Sequence, residues 1–478
     1  MLFKVKNLGV IAEAEVDLSK DLILLTGQNN TGKTYLAYAI YWFLQSDFNF
    51  CLSSAVEDLY HISFERHIML DPMPITNEKI IELANLLCQS TKIEINVVEL
   101  VKEIIVPLKK TVLERINEVF LEEHNLQVFF SNQYIKDTSV IINLESENIL
   151  KNVLEHELNG LIDLPETIFI DKEKKSPYAK FSLNPTIQGS VECAANNIFL
   201  YLFLAAFQRQ NPYYAYCFTA ERSAINIFSK ELTLLGNKIL RSKDKNLINF
   251  ATERINRYPQ PIKDSLDIAE NLKDLTKKIS DFAYLAVELE KNILKGNIVV
   301  GEFDDLQYKP NGVENSLEIH LTSSLVKSLS PIAFYLRHLA QKNDCIIIDE
   351  PELNLHPDNQ ILVARFLGRL VNEGFKVIVS THSDYIVKEI NNLVMLSTES
   401  EARNELLIKY GYSEKETIKP EQIEALLFRL PKNGVMVTPE KIAITPTGLS
   451  IKTIDEVIDK LDTMTENIYY KLFENSTN

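Results

Sequence analysis

The stretch that most constrains this chain is residues 27–34, which read GQNNTGKT and fit the pattern G-x-x-x-x-G-K-[ST] in full. A short apolar run, Leu22 to Leu25, precedes it, and a helix-forming stretch, Tyr35 to Leu44, follows it. Glycines in such a loop let backbone N–H groups point into a concave cradle, and the N-terminus of the following helix adds positive potential. The sequence therefore predicts a phosphate-binding loop between a buried strand and a helix.

Each part of this loop has an expected role in holding a nucleotide. Lys33 would reach the β- and γ-phosphates, and the hydroxyl of Thr34 would ligate Mg²⁺. We therefore expect ATP and Mg²⁺ as the cofactors. The residues predicted to contact the nucleotide are Gly27, Gln28, Asn29, Asn30, Thr31, Gly32, Lys33 and Thr34.

A second motif, CIIIDEP, occupies residues 345–351. An apolar strand that ends in two adjacent acids is the Walker B pattern. Asp349 is expected to hold Mg²⁺, and Glu350 is expected to polarise the water that attacks the γ-phosphate. Two adjacent acids at a strand end would be costly to bury without a metal or water to receive their charge.

A third apolar run, VIVSTHS at residues 377–383, ends in His382. A single histidine is usually structural. This one follows a buried strand, and ligands of parallel sheets collect at the carboxyl ends of the strands. We therefore predict that His382 contacts the γ-phosphate.

Together these motifs resemble those of the ABC-type ATPases of the RecF, SMC and OLD group. The matching stretches are the phosphate-binding loop, DEPELNLHP at residues 349–357 and STHSD at residues 380–384. The resemblance implies that Glu350 and His382 are catalytic, with His382 as the switch residue. It also implies that residues 352–356 form the D-loop.

The same resemblance implies a signature sequence at the start of the helix that leads into the Walker B strand. LTSSLVKSLSP, at residues 321–331, departs from the LSGGQ form of transporters and looks like the SS-x-x-KSL form of OLD-like ATPases. In such proteins the signature serines, here Ser323 and Ser324, contact the γ-phosphate bound to the opposite protomer. A homo-oligomer paired through its ATPase heads is therefore implied. The alternative is that either serine only caps the helix.

Two further assignments stay open from the sequence. The glutamine that the family places in its Q-loop has Gln188 and Gln208 as candidates. Glu221 and Arg222, in TAERS just past an apolar run, either approach the nucleotide or the dimer interface, or form a surface ion pair.

The expected fold class is α/β: a P-loop NTPase head of ABC type, in which helices flank a mixed sheet, with a helical insertion and a short coiled-coil-like arm. The segment 258–296 carries apolar residues in alternating steps of four and three, which is the spacing of a coiled-coil seam. A helix packed on its own domain has the same spacing. The predicted domains are the discontinuous head (residues 1–44, 165–257 and 297–398), the helical insertion (45–164), the amphipathic arm (258–296) and a C-terminal α+β region (399–478).

Composition limits the setting in which this chain works. Its longest apolar run, residues 198–207, is shorter than the roughly 20 residues of a membrane span, so no membrane partner is expected. Five scattered cysteines without a CxxC pair favour a reducing cytoplasm. The net charge of −16 disfavours nucleic-acid binding by the chain as a whole. Basic stretches at 172–180 and 238–245 are either local nucleic-acid sites or solvated faces.

The predicted function is ATP hydrolysis by a dimer or higher oligomer. Residues 399–478 hold no D-x-D pair in the context of a Toprim nuclease, so any nuclease or toxin activity would belong to a separate effector protein. The chain thus resembles the regulatory ATPases of bacterial anti-phage systems of the PtuA and AriA types. The alternatives are a RecF- or SMC-like DNA-repair ATPase that binds DNA when ATP is bound, and a nucleotide-gated scaffold with little turnover.

Overall fold

The computed structural model describes most of the 478 residues. The described ranges are 1–46, 77–123, 126–131, 137–143, 145–155, 157–161, 168–183, 191–207, 214–230, 257–431, 436–449 and 462–471. Gln188, Gln208 and the basic stretch 238–245 lie outside them. Two compact units are present: unit 1 comprises Met1–Lys4, Phe43–Asn125 and Val140–Asn211, and unit 2 comprises Val5–Trp42, Leu126–Ser139 and Pro212–Asn478.

The strands, in chain order, are β1 (Leu2–Leu8), β2 (Ile11–Asp17), β3 (Leu22–Gly27), β4 (Lys92–Asn96), β5 (Ser139–Asn143), β6 (Leu158–Leu161), β7 (Ile168–Lys172), β8 (Tyr178–Leu183), β9 (Ala215–Phe218), β10 (Gly296–Val300), β11 (Leu306–Pro310), β12 (Leu317–Glu318), β13 (Cys345–Asp349), β14 (Lys376–Thr381), β15 (Ile423–Phe428), β16 (Glu440–Lys441), β17 (Ile444–Thr445) and β18 (Gly448–Leu449).

The helices are α1 (Lys33–Gln45), α2 (Glu78–Ser90), α3 (Val97–Leu100), α4 (Val106–Glu123), α5 (Leu126–Phe130), α6 (Ser146–Glu155), α7 (Val191–Phe207), α8 (Gln260–Glu270), α9 (Leu272–Leu275), α10 (Ala283–Leu289), α11 (Ser324–His338), α12 (Pro357–Asn372), α13 (Asp384–Met395) and α14 (Arg403–Tyr410). Residues 222–230 and 462–469 are also helical. Short π-helical turns, Val101–Ile105 and Glu290–Leu294, extend the helices that precede them.

The central element of unit 2 is a six-stranded sheet in the order β16-β15-β3-β14-β13-β9. Every described pairing in it is parallel except that of β16 with β15. Its inner strands read as near-continuous apolar runs, for example CIIID in β13, whose five residues are all buried. Such runs are typical of parallel strands that are covered on both faces. The predicted α/β head with a mixed sheet flanked by helices is confirmed.

Pairing in register brings the ends of three strands to one edge of this sheet. Asp349, the last residue of β13, lies opposite Ser380 of β14. Thr381, the last residue of β14, lies opposite Thr26 of β3. All three motifs of the sequence therefore emerge at the same carboxyl edge, where α/β sheets bind their ligands.

Unit 1 contains an antiparallel sheet in the order β4-β8-β7-β6. The predicted helical insertion over residues 45–164 contains strands as well as helices, because β4, β5 and β6 lie within it. In β4, the sequence KIEIN alternates polar and apolar residues, and it begins after Thr91 ends α2 in a left-handed conformation (φ 61°). Strands β7 and β8 belong to unit 1 as well, which differs from the predicted assignment of residues 165–211 to the head.

The predicted coiled-coil-like arm over residues 258–296 is also wrong. Three short helices, α8 to α10, occupy this segment in place of one long helix. The chain turns at Ser280, whose backbone N–H donates to Arg337 O (2.8 Å) and whose hydroxyl donates to Ala340 O (2.6 Å). Most of the predicted seam packs in the core of unit 2 with α11 to α13. The heptad spacing thus reflects short helices buried on their own domain.

Substitutions at two positions of the same apolar repeat should lower the free energy of unfolding by different amounts. Leu289 is 1% exposed in the core, whereas Ile279 is 77% exposed. We expect Leu289→Ala to lower the free energy of unfolding by about 2–5 kcal/mol, because it leaves a core cavity. Ile279→Ala should change it by less than about 0.5 kcal/mol. Chemical denaturation of both variants measures this, and equal losses at the two positions would restore the coiled-coil interpretation.

Candidate ATP-binding and hydrolysis site

The phosphate-binding loop adopts a shape that its glycines make possible. Gly27 has φ 126° and Gly32 has φ 95°, both in the region that side chains disfavour. A Cβ on Gly27 would lie 2.1 Å from the carbonyl oxygen of Phe428, and one on Gly32 would lie 2.6 Å from Cγ1 of Ile11. The loop geometry therefore requires glycine at both positions of the motif.

Lys33 is buried within this loop. Its ammonium donates hydrogen bonds to the carbonyl oxygens of Gly27 (3.0 Å) and Gln28 (2.7 Å). Burial lowers the pKa of Lys33, and the nearby carboxylates of Glu350, Asp349 and Glu352 oppose that shift. The loop thus satisfies its own lysine with carbonyl groups, and phosphate oxygens would be stronger, charged partners for the same ammonium.

Asp349 lies where the loop meets the carboxyl ends of β13 and β14. The hydroxyl of Thr34 donates to its Oδ1 (3.2 Å), and the hydroxyl of Ser380 donates to the same oxygen. Asp349 is 2% exposed, and this burial raises the pKa of its carboxyl to about 6 although both hydroxyls oppose the shift. The charge of Glu350 raises it further.

These groups fit the needs of Mg²⁺. The ion prefers octahedral oxygen ligands and usually keeps waters, binding through one or two carboxylates together with substrate phosphates. Thr34 and Asp349 provide a hydroxyl and a carboxylate side by side. The described residues contain no cluster of three histidine, cysteine or acidic side chains that would form an all-protein metal site. A metal completed by phosphate oxygens is the arrangement that this donor set allows.

Glu350 follows Asp349 in a left-handed backbone conformation, with φ 48°. That region costs a residue with a side chain roughly 1–2 kcal/mol, so it needs support from its surroundings. The Glu350 N–H donates to Ser380 O (2.9 Å), and its carboxylate is 29% exposed. The side chain is thus partly open to water at the residue that directly follows Asp349, as a water-polarising residue requires.

His382 lies beside two acids of the Walker B segment. Its Nδ1 is 3.8 Å from Oε1 of Glu350 and 3.2 Å from Oε1 of Glu352. Its side chain is 41% exposed. The predicted catalytic pair, Glu350 and His382, is therefore brought together at the sheet edge.

Glu352 is a site residue whose role the motif analysis missed. It is 5% exposed, and its Oε1 accepts hydrogen bonds from the Thr381 hydroxyl (2.8 Å) and the His382 N–H (2.7 Å). This carboxylate therefore holds the turn that carries His382. The sequence assigned it only to the D-loop, although a third acid so close to a buried pair was a signal for such a role.

The signature serines open helix α11, as the sequence predicted. Ser323 is the N-cap, and its side chain accepts from the Val326 N–H (3.4 Å). The Ser324 hydroxyl donates to the carbonyl oxygen of Asn354 (2.8 Å) in the D-loop. Both serines are exposed. Within one chain Ser323 therefore caps a helix, and its exposure leaves the helix N-terminus open to a second molecule.

Arg222 and Glu221 have separate environments. Glu221 is exposed, whereas Arg222 is 3% exposed and donates to carbonyl oxygens of the Walker B turn. A surface ion pair is therefore wrong for Arg222. Hydrogen bonds to backbone carbonyls leave no pattern in a sequence, so only the structure reveals this contact.

A phosphate-binding loop, a Walker B carboxylate, a water-accessible glutamate and a histidine at one sheet edge define a P-loop ATPase. Residues 1–387 match the family model described as the AAA ATPase domain. The chain belongs to this family, and it is an ATP-hydrolysing enzyme. No curated protein matches the sequence significantly.

Solved SMC head domains show a weak structural similarity to this chain. An Smc head bound to the C-winged helix domain of ScpA has a TM-score of 0.33 at 11% identity, covering 93% of this chain and 98% of that one. The Smc head with an extended coiled coil bound to the C-terminal domain of ScpA, from Pyrococcus furiosus, has 0.29 at 11%, covering 97% and 98%. The SMC head from Thermotoga maritima has 0.29 at 9%, covering 92% and 97%.

Within the described ranges, none of the helices is both long enough and apolar enough to cross a bilayer.

The raised pKa of Asp349 predicts how Mg²⁺ binding depends on pH. The carboxyl takes up a proton below about pH 6, and a metal must displace that proton. Apparent Mg²⁺ affinity in the presence of ATP should be nearly constant from pH 8 to 7 and should fall about fivefold between pH 6 and pH 5. Magnesium titrations of ATPase-bound nucleotide measure this, after correction for Mg²⁺ binding to free ATP in the same buffers. An unchanged affinity at pH 5 would show that Asp349 is not a ligand.

Proposed function

We propose that this ATPase hydrolyses ATP in composite sites, each formed by two protomers. One protomer provides the phosphate-binding loop, Asp349, Glu350 and His382, and the other provides Ser323 and Ser324. The observation that carries this proposal is the exposure of both halves: the signature serines stand exposed at a helix N-terminus, and Glu350 and His382 are 29% and 41% exposed. A second protomer would cover each half with the other.

The hydrolytic step follows from the groups at the sheet edge. Backbone N–H groups of residues 27–34 and the Lys33 ammonium hold the phosphates. Glu350 accepts a proton from water as the water oxygen bonds to the γ-phosphorus, and the bond to the bridging oxygen of ADP breaks. His382 donates a hydrogen bond to the γ-phosphate and so detects its presence. Mg²⁺, held by Thr34 and Asp349, would supply neutralisation of the phosphate charge.

The second protomer contributes positive potential near the phosphates and covers the nucleotide site. The N-terminus of α11 carries the positive end of the helix dipole together with two hydroxyl groups, and such a helix end attracts phosphate. Its approach would exclude bulk water and strengthen each charged contact in the site. Loss of the γ-phosphate on hydrolysis removes that contact, so the interface reopens.

We further propose that this cycle regulates a separate effector in bacterial anti-phage defence. Support comes from the OLD-like form of the signature, SS-x-x-KSL. In this role the chain works in the cytoplasm, and the effector, a nuclease or a toxin, is a distinct protein. The opening and closing of the head pair would be the signal that the effector receives.

The composite site predicts assembly that depends on ATP. Glu350→Gln keeps the shape of the side chain but removes the proton acceptor, so it should bind ATP and hydrolyse it at least about a hundredfold more slowly than wild type. We expect ATP and Mg²⁺ to shift this variant to dimers or larger even-numbered assemblies. Light scattering with and without nucleotide measures the mass, and phosphate release measures the rate.

A matched variant separates the two protomers' contributions. Adding Ser323→Ala and Ser324→Ala to Glu350→Gln should leave ATP bound while the nucleotide-dependent gain in mass disappears. If the mass of Glu350→Gln does not change when ATP is added, the composite site is contradicted. Salt-sensitive binding of duplex DNA by the purified chain with ATP, without any effector, would favour the DNA-repair alternative instead.

A further inference from the structure

Arg222 is a buried arginine that donates hydrogen bonds to the backbone of the Walker B turn. Among the described residues, none of its hydrogen bonds goes to a carboxylate. Arg222 begins the helical residues 222–230, directly after the three-residue loop 219–221 that follows β9. Its Nη1 donates to the carbonyl oxygen of Asp349 (2.7 Å), and its Nη2 donates to that of Glu350 (2.9 Å). One guanidinium therefore grips two successive backbone carbonyls.

The remaining donors of Arg222 reach two other parts of the site. Nε donates to both the carbonyl and hydroxyl oxygens of Ser328 (3.1 Å each), and Nη2 also donates to the Ser328 hydroxyl (2.7 Å). Nη1 donates to Thr219 O as well (3.0 Å). Ser328 lies in α11, one turn beyond the signature serines. The guanidinium thus connects the signature helix, the end of β9 and the Walker B turn.

The cost of burying this charge indicates that the contact is specific. A buried cation needs partners for its hydrogen bonds, and an unpaired one destabilises the fold strongly. Burial lowers the pKa of Arg222, while Asp349, Glu352 and Glu350 oppose that shift through their charges. The planar fork of arginine spreads its donors over three nitrogen atoms, whereas a lysine ammonium presents all its donors from one atom and cannot reach oxygens so far apart.

The backbone that Arg222 binds includes that of the catalytic glutamate, Glu350, and so sets the direction of its side chain. Glu350 is held at φ 48°, and its N–H bonds to Ser380 O on one side while its carbonyl bonds to Arg222 on the other. The hydrogen bond from Arg222 is therefore one of the two backbone contacts that support this costly conformation.

We propose that Arg222 is a positioning residue for hydrolysis, which holds Glu350 in its left-handed conformation and ties that conformation to the signature helix through Ser328. It acts through the backbone of Glu350. The inference rests on the proposed function, because it needs Glu350 to be the residue that activates water. It makes the direction of the Glu350 carboxylate depend on the place of α11, whose N-terminus meets the partner's nucleotide.

Two variants test this role by separating turnover from binding. Arg222→Lys keeps the charge but loses the fork, and Ser328→Ala removes one hydroxyl while keeping its carbonyl. We expect kcat to fall about ten- to a hundredfold in the first and a few-fold in the second, with the ATP dissociation constant unchanged within about twofold. Arg369→Lys is the matched control, since Arg369 is a buried arginine paired with Glu288 and Glu373 outside the site. It should keep the wild-type kcat.

A double-mutant cycle with Glu350→Gln distinguishes positioning from general stability. If Arg222 acts through Glu350, adding Arg222→Lys to Glu350→Gln should slow the residual rate no further. Losses that multiply, or an ATP affinity that falls in step with kcat, would overturn the inference. A wild-type kcat in both single variants would also overturn the inference. In that case, slow ATP hydrolysis by Glu350→Gln would still support the proposed function. Wild-type turnover by Glu350→Gln itself would overturn both.

If Arg222→Lys fails to fold, Ser328→Ala carries the test alone. This substitution removes only a small hydroxyl, and the hydrogen bond from Arg222 Nε to the carbonyl oxygen of residue 328 remains. We therefore again expect a lower kcat with unchanged ATP affinity, but a smaller decrease in kcat. Thermal unfolding with and without ATP confirms that each variant is folded. A folded Ser328→Ala protein with unchanged kcat would then overturn the link between α11 and Glu350.

Discussion

The pairing of β13 with β14 is the constraint on which the rest of the site depends. Because Asp349 lies opposite Ser380, the hydroxyl of Ser380 and the N–H of Glu350 both bind across the same strand pair. On the far side of β14, β3 delivers the phosphate-binding loop to the same edge. A slip of one residue in this register would turn every side chain to the opposite face of the sheet. The strand pairing therefore brings the candidate catalytic groups to one edge, and the side chains of Glu352 and Arg222 support the turns that carry them.

The sequence was informative where function fixes both residue type and spacing. The glycines of the phosphate-binding loop could be recognised because a side chain does not fit at Gly27 or Gly32, as their close contacts show. The acids after CIII could be recognised because two adjacent acids at the end of an apolar strand are costly to bury without a partner. Their assignments to nucleotide and metal remain predictions about chemistry. The fold of the head followed from the same segments, since apolar strands that end in such motifs occur in parallel sheets.

The sequence was misleading where one pattern serves two structures. Steps of four and three residues mark a coiled-coil seam, but short helices that pack into a common core show the same steps. The chain turns at Ser280, between α9 and α10, through hydrogen bonds to the carbonyl oxygens of Arg337 and Ala340, which lie far along the sequence. Strand β4 was missed because its five residues are too few to stand out among helices. Arg222 was left undecided because its partners are mostly backbone carbonyls, which every residue possesses. Long-range contacts of these kinds cannot be read from local spacing.

Charge explains why the site is built from an excess of acids. Asp349, Glu350 and Glu352 cluster within reach of Lys33 and Arg222, and the burial of Asp349 already makes its ionised form costly. Of the two cations, Arg222 is fully engaged with oxygens of the fold, whereas Lys33 is held by loop carbonyls that a phosphate can replace. The two cations therefore have distinct tasks: Arg222 maintains the shape of the acidic turn, and Lys33 is free to exchange partners. An acidic site of this kind is stabilised most by a nucleotide that binds together with a divalent cation. The cation lowers the free-energy cost of keeping the carboxylates ionised, and the phosphates bind the lysine ammonium.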